Sequence, residues 1–221
     1  GSLNIADSQF TGNSSIGGGN ASIPDYSSYG GAVYANCPVI ISGSVFSGNR
    51  ATAGAGPCYG GGIYALQGLA VRHSVLSGNL GQTGDRSAYG GAINSAVAVN
   101  LRNVLLVTNT VVGVGAGVYV NNGAFSMSSC TVASNAGHGV YVNQAPSFSV
   151  TNSIFWANND DLWGFPTNAS GVMTNVFCCD IEDGDNNGVN GCISADPLFV
   201  DPGNGDYRPQ TAFFRWSVAA N

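Results

Sequence analysis

One phrase recurs on a fixed interval: YGGAVYA at 29–35, YGGGIYA at 59–65 and YGGAINS at 89–95, each 30 residues after the last. No other feature constrains the fold as much. A chain that rewrites a phrase at constant spacing puts equivalent residues in equivalent surroundings, and stacked repeats do the same. A second phrase accompanies it, apolar-x-apolar and then a turn and a closing Asn. It reads LNIADSQFTGN (3–13), VIISGSVFSGN (39–49), LAVRHSVLSGN (69–79), VNLRNVLLVTN (99–109), FSMSSCTVASN (125–135) and FSVTNSIFWAN (148–158).

The spacings locate the variation. From the glycine starts at Gly30, Gly60, Gly90, Gly115 and Gly137 to the next closing Asn is 19, 19, 19, 20 and 21 residues. From each Asn to the next glycine start, 16, 10, 10, 5 and 1 residues intervene. One part of the unit is nearly constant, and all insertions (14–29, 50–59, 80–89, 110–114 and 136) leave from one corner. Within the unit the period is two, which means strands. The aligned apolar columns are Leu3/Val39/Leu69/Val99/Phe125/Phe148 and Ile5/Ile41/Val71/Leu101/Met127/Val150. After a turn comes Phe10/Phe46/Leu76/Leu106/Val132/Phe155, and the glycine phrase adds Val33/Ile63/Ile93/Val118/Val140. The chain is therefore expected to be all-β, a parallel β-helix whose roughly 22-residue coils of three strands stack about 4.8 Å apart. The Asn series is expected at a bend in the left-handed conformation, its amide bonding the coils above and below.

Composition removes whole classes of function. Charged residues make up 8% of the 221, the net charge is −6 and none of the six basic residues is lysine. A nucleic-acid partner needs a basic surface, and a phosphate-binding loop ends in lysine. No apolar run approaches the roughly 20 residues of a membrane helix.

The phrases GGAVYA and SVFSGN resemble the GGA(I/L) and FxxN repeats of polymorphic outer-membrane proteins and related bacterial β-helix repeat proteins. CISADPLFVDPGNGDYRPQ (192–210) resembles the segment that closes many secreted bacterial β-helix proteins, although 211–221 departs from the family's usual continuation. The resemblance implies a right-handed, single-stranded parallel β-helix (solenoid) of about six to seven coils over 1–178, then a closing segment over 179–221. It also implies a secreted or cell-surface protein, among relatives that include adhesins and carbohydrate-active proteins. The abrupt front, with Leu3 already inside a coil, reads as a piece of a longer protein or as an end through which the chain associates.

The insertions shrink along the axis and are expected to wall a corner beside Tyr34, Tyr64, Asn94, Tyr119 and Tyr141, which alternation turns outward. Aromatic rings at coil intervals suit the apolar faces of sugars. Asp25, Arg50, Asp85 and Arg86 are the polar candidates there, and a polysaccharide, glycan or surface protein is the partner. Tyr29, Tyr59 and Tyr89 fall in phase with inward residues and are expected to pack the loop bases. The alternative is a polysaccharide lyase or glycoside hydrolase with its site among these loops. A glycosidase needs two carboxylates roughly 5–9.5 Å apart, and no two acids of the coil region fall at equivalent positions of neighbouring coils. This scarcity, with the missing lysine, favours binding over catalysis.

Two features remain near the end. Asp183, Asp185, Asn187 and Gly188 match the opening of a calcium loop, with Ser194 where the bidentate Glu belongs; a plain turn-rich loop is the alternative, and calcium is the one cofactor the sequence suggests. Cys178 aligns with inward Phe155, which turns Cys179 outward. Cys192 stands where the resembling proteins carry a polar residue. A Cys179–Cys192 disulfide is the expectation, with free thiols the alternative, and a bridge implies export to an oxidising compartment.

Overall fold

The computed structural model describes residues 1–18, 26–54, 56–84 and 88–210. It is all-β and built from long parallel sheets, an arrangement compatible with a β-solenoid. One sheet joins Leu3–Ala6, Val39–Ser42, Leu69–Ser77, Val99–Val107, Phe125–Ser128, Phe148–Thr151 and Val176–Phe177 in sequence order. A second limb of it carries Gln9–Thr11, Val45–Ser47, Thr131–Ala133, Ile154–Trp156 and Asp180–Ile181. A six-stranded sheet joins Val33–Ala35, Ile63–Ala65, Ile93–Ser95, Val118–Asn121, His138–Asn143 and Asp160–Trp163.

The pairing reproduces the columns read from the repeats. Leu69 pairs with Val39 and Val99, Leu76 with Phe46 and Leu106, and Ile63 with Val33 and Ile93. These side chains form one continuous core, in which Ile41, Phe46, Ile63, Leu76, Leu106 and Phe155 are fully buried. Each such aliphatic or aromatic side chain stabilises the fold by about 1.5–3 kcal/mol.

The closing asparagines form a ladder that is buried from Asn49 to Asn135. Asn13, Asn49, Asn79, Asn109 and Asn135 each donate from Nδ2 to the Oδ1 of the next, ending at Asn158. From Asn49 onward the same Nδ2 also donates to a backbone oxygen of the preceding repeat, such as Phe10 for Asn49 and Phe46 for Asn79. The left-handed position is not the asparagine, as expected from sequence, but the residue before it. Gly12, Gly48, Gly78, Thr108, Ser134 and Ala157 have φ between 54° and 65°. That residue makes the bend, and the asparagine amide then points inward where the bend leaves backbone groups unpaired.

The insertions are not a wall of loops outside the repeat. Ser14–Gly17, Arg50–Ala53, Leu80–Thr83 and Thr110–Val111 pair in parallel, and so do Ser28–Tyr29, Cys58–Tyr59, Ala88–Tyr89 and Gly113–Val114. Between these two small sheets lies a separate core of Ala51, Ala53, Cys58, Ala88, Val111 and Ala116. The alternation in these short, small-residue segments was too weak to be read as strands. Gly113 shows the tightness: a Cβ there would lie 1.9 Å from the Ala88 oxygen.

The repeats run past residue 178. Val176 pairs with Val150 and Ile181 with Phe155. The last turn therefore sits at Cys178, whose φ of 53° matches that of Asp7, His73 and Asn152 at the same place. This register inverts the expected orientation: Cys178 is exposed, whereas Cys179 takes the inward position of Ser153 and is buried. Cys179 and Cys192 both stand as free thiols at the end of the core. Beyond them the antiparallel hairpin of Phe199–Asp201 and Asp206–Pro209 folds back. Its Phe199 and Tyr207 pack on Leu105, Val107, Ala133 and Trp156, on the outside of the sheet.

Candidate functional site

The six-stranded sheet presents its outward side chains in register, Tyr34–Tyr64–Asn94–Tyr119–Tyr141–Trp163. Tyr29, Tyr59 and Tyr89 come from the neighbouring insertion sheet. Strict alternation would turn them inward. They instead lie in the same stack, because Gly30, Gly60 and Gly90 adopt φ of 50°, 69° and 76° and reset the direction of the chain between the two strands. Tyr29 stacks on Tyr34 at 5.3 Å and on Tyr64 at 5.6 Å, and Tyr59 on Tyr64 at 5.2 Å and on Tyr89 at 5.6 Å. Tyr119 meets Tyr141 at 5.4 Å, and Tyr141 meets Trp163 at 6.4 Å.

The result is one staggered aromatic band along the stacking direction. Within it exposure differs sharply: Tyr34 is 54% and Trp163 50% accessible, whereas Tyr64 and Tyr119 are only 9% and 8% accessible. The outward series is thus exposed at both ends and covered at Tyr64 and Tyr119. The second tyrosine series buries the faces of Tyr64 and Tyr119 and leaves their edges at the surface. Burial, and then the neighbouring phenols, push Tyr64 up to about 12 and also raise Tyr59 and Tyr119. The phenols are therefore neutral hydrogen-bonding groups.

The band is interrupted at Asn94, the one aligned position without a ring. There Tyr89 meets Tyr119 at a tilt of 50° instead of stacking. A cavity of about 260 Å³ opens at this point, lined by Tyr59, Tyr64, Tyr89, Asn94, Ala96, Tyr119, Asn121 and Asn143. Asn94 donates to the Tyr89 oxygen, and Asn143 donates to Asn121 Oδ1. Asn143 also hydrogen-bonds the Tyr119 side chain.

Of the other sequence candidates, Arg50 is exposed and its guanidinium donates to Thr52 Oγ1 at 2.8 Å and to Gln82 Oε1 at 2.5 Å. Asp25, Asp85 and Arg86 lie outside the described residues. Arg72 and Arg102 pair across neighbouring strands and are exposed.

Sequence reasoning missed an acidic cluster at the end of the band. Asp160 pairs with His138 across adjacent strands, and the loop after Ile181 folds Asp183 and Asp185 against Asp160 and Asp161. Asp161 is buried; it accepts from Asn158 Nδ2 and from the backbone N–H of Glu182 and Asp183. Burial pushes Asp161 up to about 6. Asp185 is likewise pushed up to about 6 by burial and by the charges of Asp183 and Asp160. The His138 Nδ1 is buried without a partner among the described residues, and burial lowers that imidazole despite nearby Asp160. The signal was a spacing of one repeat between 160–161 and 183–185, hidden because the last repeat lacks its Asn.

Asp183 and Asp185, proposed above as calcium ligands, belong to this cluster. The carboxylate of Asp183 takes the backbone N–H groups of Asp161 and Asp185, and Asn187 is exposed. Among the described residues no group of three or more His, Cys, Asp or Glu side chains converges as a metal site.

A second concavity, also missed, runs over the corner formed by Pro38, Gly68, Ala98, Ala124 and Ser147; it measures about 610 Å³ and is mostly apolar. Among the described residues no helix is long and apolar enough to cross a membrane. No family profile, curated protein or solved structure matches the chain.

Proposed function

We propose that this chain is a right-handed, single-stranded parallel β-helix of six to seven coils, secreted or displayed at a cell surface. It binds a polysaccharide or glycan along its tyrosine face and does no chemistry. Parallel strands joined within one sheet are connected right-handedly in about 98% of cases, which supports the hand. One observation carries the binding function: rings from successive repeats line up along the six-stranded sheet from Tyr34 to Trp163, on every strand but that of Asn94. A polymer with a repeating apolar face meets a surface with a repeating aromatic one, and each ring adds contact at little entropic cost. The test is a glycan array with the wild-type chain and with a Tyr34→Ala/Trp163→Ala variant. Binding that the double variant loses supports the reading. Binding that survives it, or an array silent for glycans with capture of a surface protein, overturns it.

A second reading has its own observation. Asp160 and Asp185 lie beside the Trp163 end of the band; burial first, and then the charge of Asp183, raises both carboxyls, Asp185 to about 6, within the range of a general acid. In a polysaccharide hydrolase this pair would sit where the aromatic track delivers its chain. Release of new reducing ends from a bound polymer, abolished by Asp185→Asn with binding retained, would select this reading over the first.

A further inference from the structure

We propose that Asn94 opens a subsite for a single uncharged pyranose ring, which takes the place of the aromatic ring missing from the band. The proposal rests on the glycan reading above and specifies its ligand. Three observations carry it.

The first is geometric. In the outward column, neighbouring rings lie 5.6 Å apart at Tyr34–Tyr64 and 5.4 Å apart at Tyr119–Tyr141. Tyr64 and Tyr119 are separated by one full repeat, that of Asn94, so the gap between them spans about two strand spacings, ~9.6 Å. Tyr59 and Tyr89 border that gap, stacking on Tyr64 at 5.2 Å and meeting Tyr119 at 5.0 Å, and the cavity is the space left where the column lacks a ring. The cavity of about 260 Å³ lies just below the roughly 300 Å³ at which ordinary small-molecule sites begin, so it suits one ring of a longer chain.

The second is polarity. The gap is floored by the amide of Asn94 and flanked by those of Asn121 and Asn143, which are linked to each other and to Tyr119. Amides and neutral phenols donate and accept in equal measure, as hydroxyl groups require. A sugar ring entering edge-on meets these amides and the edges and hydroxyls of the phenols, since the faces of Tyr64 and Tyr119 are already covered.

The third is charge. Among the described residues no charged side chain lines the cavity. The chain as a whole carries −6. Burying a uronate or sulfate here would leave it unpaired at a substantial cost, and the overall field repels polyanions. The subsite therefore selects neutral polysaccharides over acidic ones. The ring edges on both sides border the flanking sugars, and Asn94 sets the register.

The experiment is affinity electrophoresis of the intact chain in gels containing a soluble β-glucan, a galactomannan, a xylan, polygalacturonate or alginate. Wild type is compared with Asn94→Tyr, which fills the gap with the residue the fold already accepts at Tyr64 and Tyr119. The expected result is retardation by at least one neutral polymer, weakened at least tenfold in Asn94→Tyr with an unchanged melting temperature. Equal retardation of wild type and Asn94→Tyr overturns the subsite and leaves the glycan reading standing. So does stronger retardation by polygalacturonate or alginate. Retardation by none of the five polymers overturns both. Should Asn94→Tyr melt earlier, Asn143→Ala makes the same comparison by removing a flanking amide without filling the gap, and unchanged binding again overturns the proposal.

Discussion

The backbone N–H and the side-chain amide of Asn79 converge on a single atom, the Oδ1 of Asn109, at 3.0 and 2.9 Å. Asn109 in turn donates to the backbone oxygen of Leu76. Both asparagines are fully buried. Replacing Asn109 with Ala thus strips partners from a buried N–H, a buried amide and a buried carbonyl. Asn109→Ala is expected to cost about 2–4 kcal/mol in urea unfolding, because each orphaned group carries its own desolvation penalty. Asn13→Ala, at the exposed end of the ladder, should cost under about 1 kcal/mol. Equal effects at the two sites would mean the ladder does not stabilise as a buried network.

The insertion sheets yield a second expectation. Ala88 is fully buried between Cys58 and the Gly113 backbone. Were 80–89 a loop outside the fold, a charge at 88 would be tolerated. Ala88→Asp should destabilise by on the order of 3 kcal/mol or more, since the carboxylate has neither water nor a partner. A thermal melt that leaves the variant within a degree or two of wild type would remove the second core.

Asp161 makes stability depend on pH in an unusual direction. Its folded carboxyl sits at about 6 against an ordinary 3.8. Between those values the folded chain holds a proton that the unfolded chain has released, so stability falls as pH rises through this window. Above about 6 the loss is complete, and below 3.8 the gain is complete. Asp160 and Asp185 shift the same way. His138, lowered from 6.5, opposes them, because protonating it below that pH favours the unfolded chain. The expected net is a gain in stability between pH 7 and pH 5, read from urea midpoints. A flat or falling profile over that interval would count against the buried carboxylate cluster.

The thiols divide by burial. Cys58 and Cys130 are pushed up to about 11 and Cys179 to about 12, in each case chiefly by burial. A thiol-specific reagent at pH 8 should modify exposed Cys178 first, then half-buried Cys37. Cys58, Cys130, Cys179 and Cys192 should react only after unfolding. Counting thiols without reductant also tests the expected bridge. Six on unfolding agrees with free Cys179 and Cys192, whereas four, with those two masked, would restore the disulfide and the oxidising compartment it implies.

The repeat by itself determined the stacking register. Leu3, Val39, Leu69, Val99, Phe125 and Phe148 could be aligned without coordinates because the same side chain must lie over its equivalent at every step. The asparagine ladder was legible for the same reason, and the Tyr34 column with it. Only the tertiary structure decided where local alternation stopped being a guide. Gly30, Gly60 and Gly90 reset the chain direction and brought Tyr29, Tyr59 and Tyr89 onto the face of Tyr34 and Tyr64 instead of into the core. Pairing between repeats turned Ser14–Gly17 and Arg50–Ala53 from apparent loop into sheet. The last turn shifted Cys179 inward and folded Asp183 and Asp185 onto Asp160 and Asp161. Alternation is a property of a few neighbouring residues, and it persists only while the backbone stays extended. A left-handed glycine, an insertion or a final turn breaks it, and the side chain's direction then depends on contacts with chain some 20 to 30 residues away.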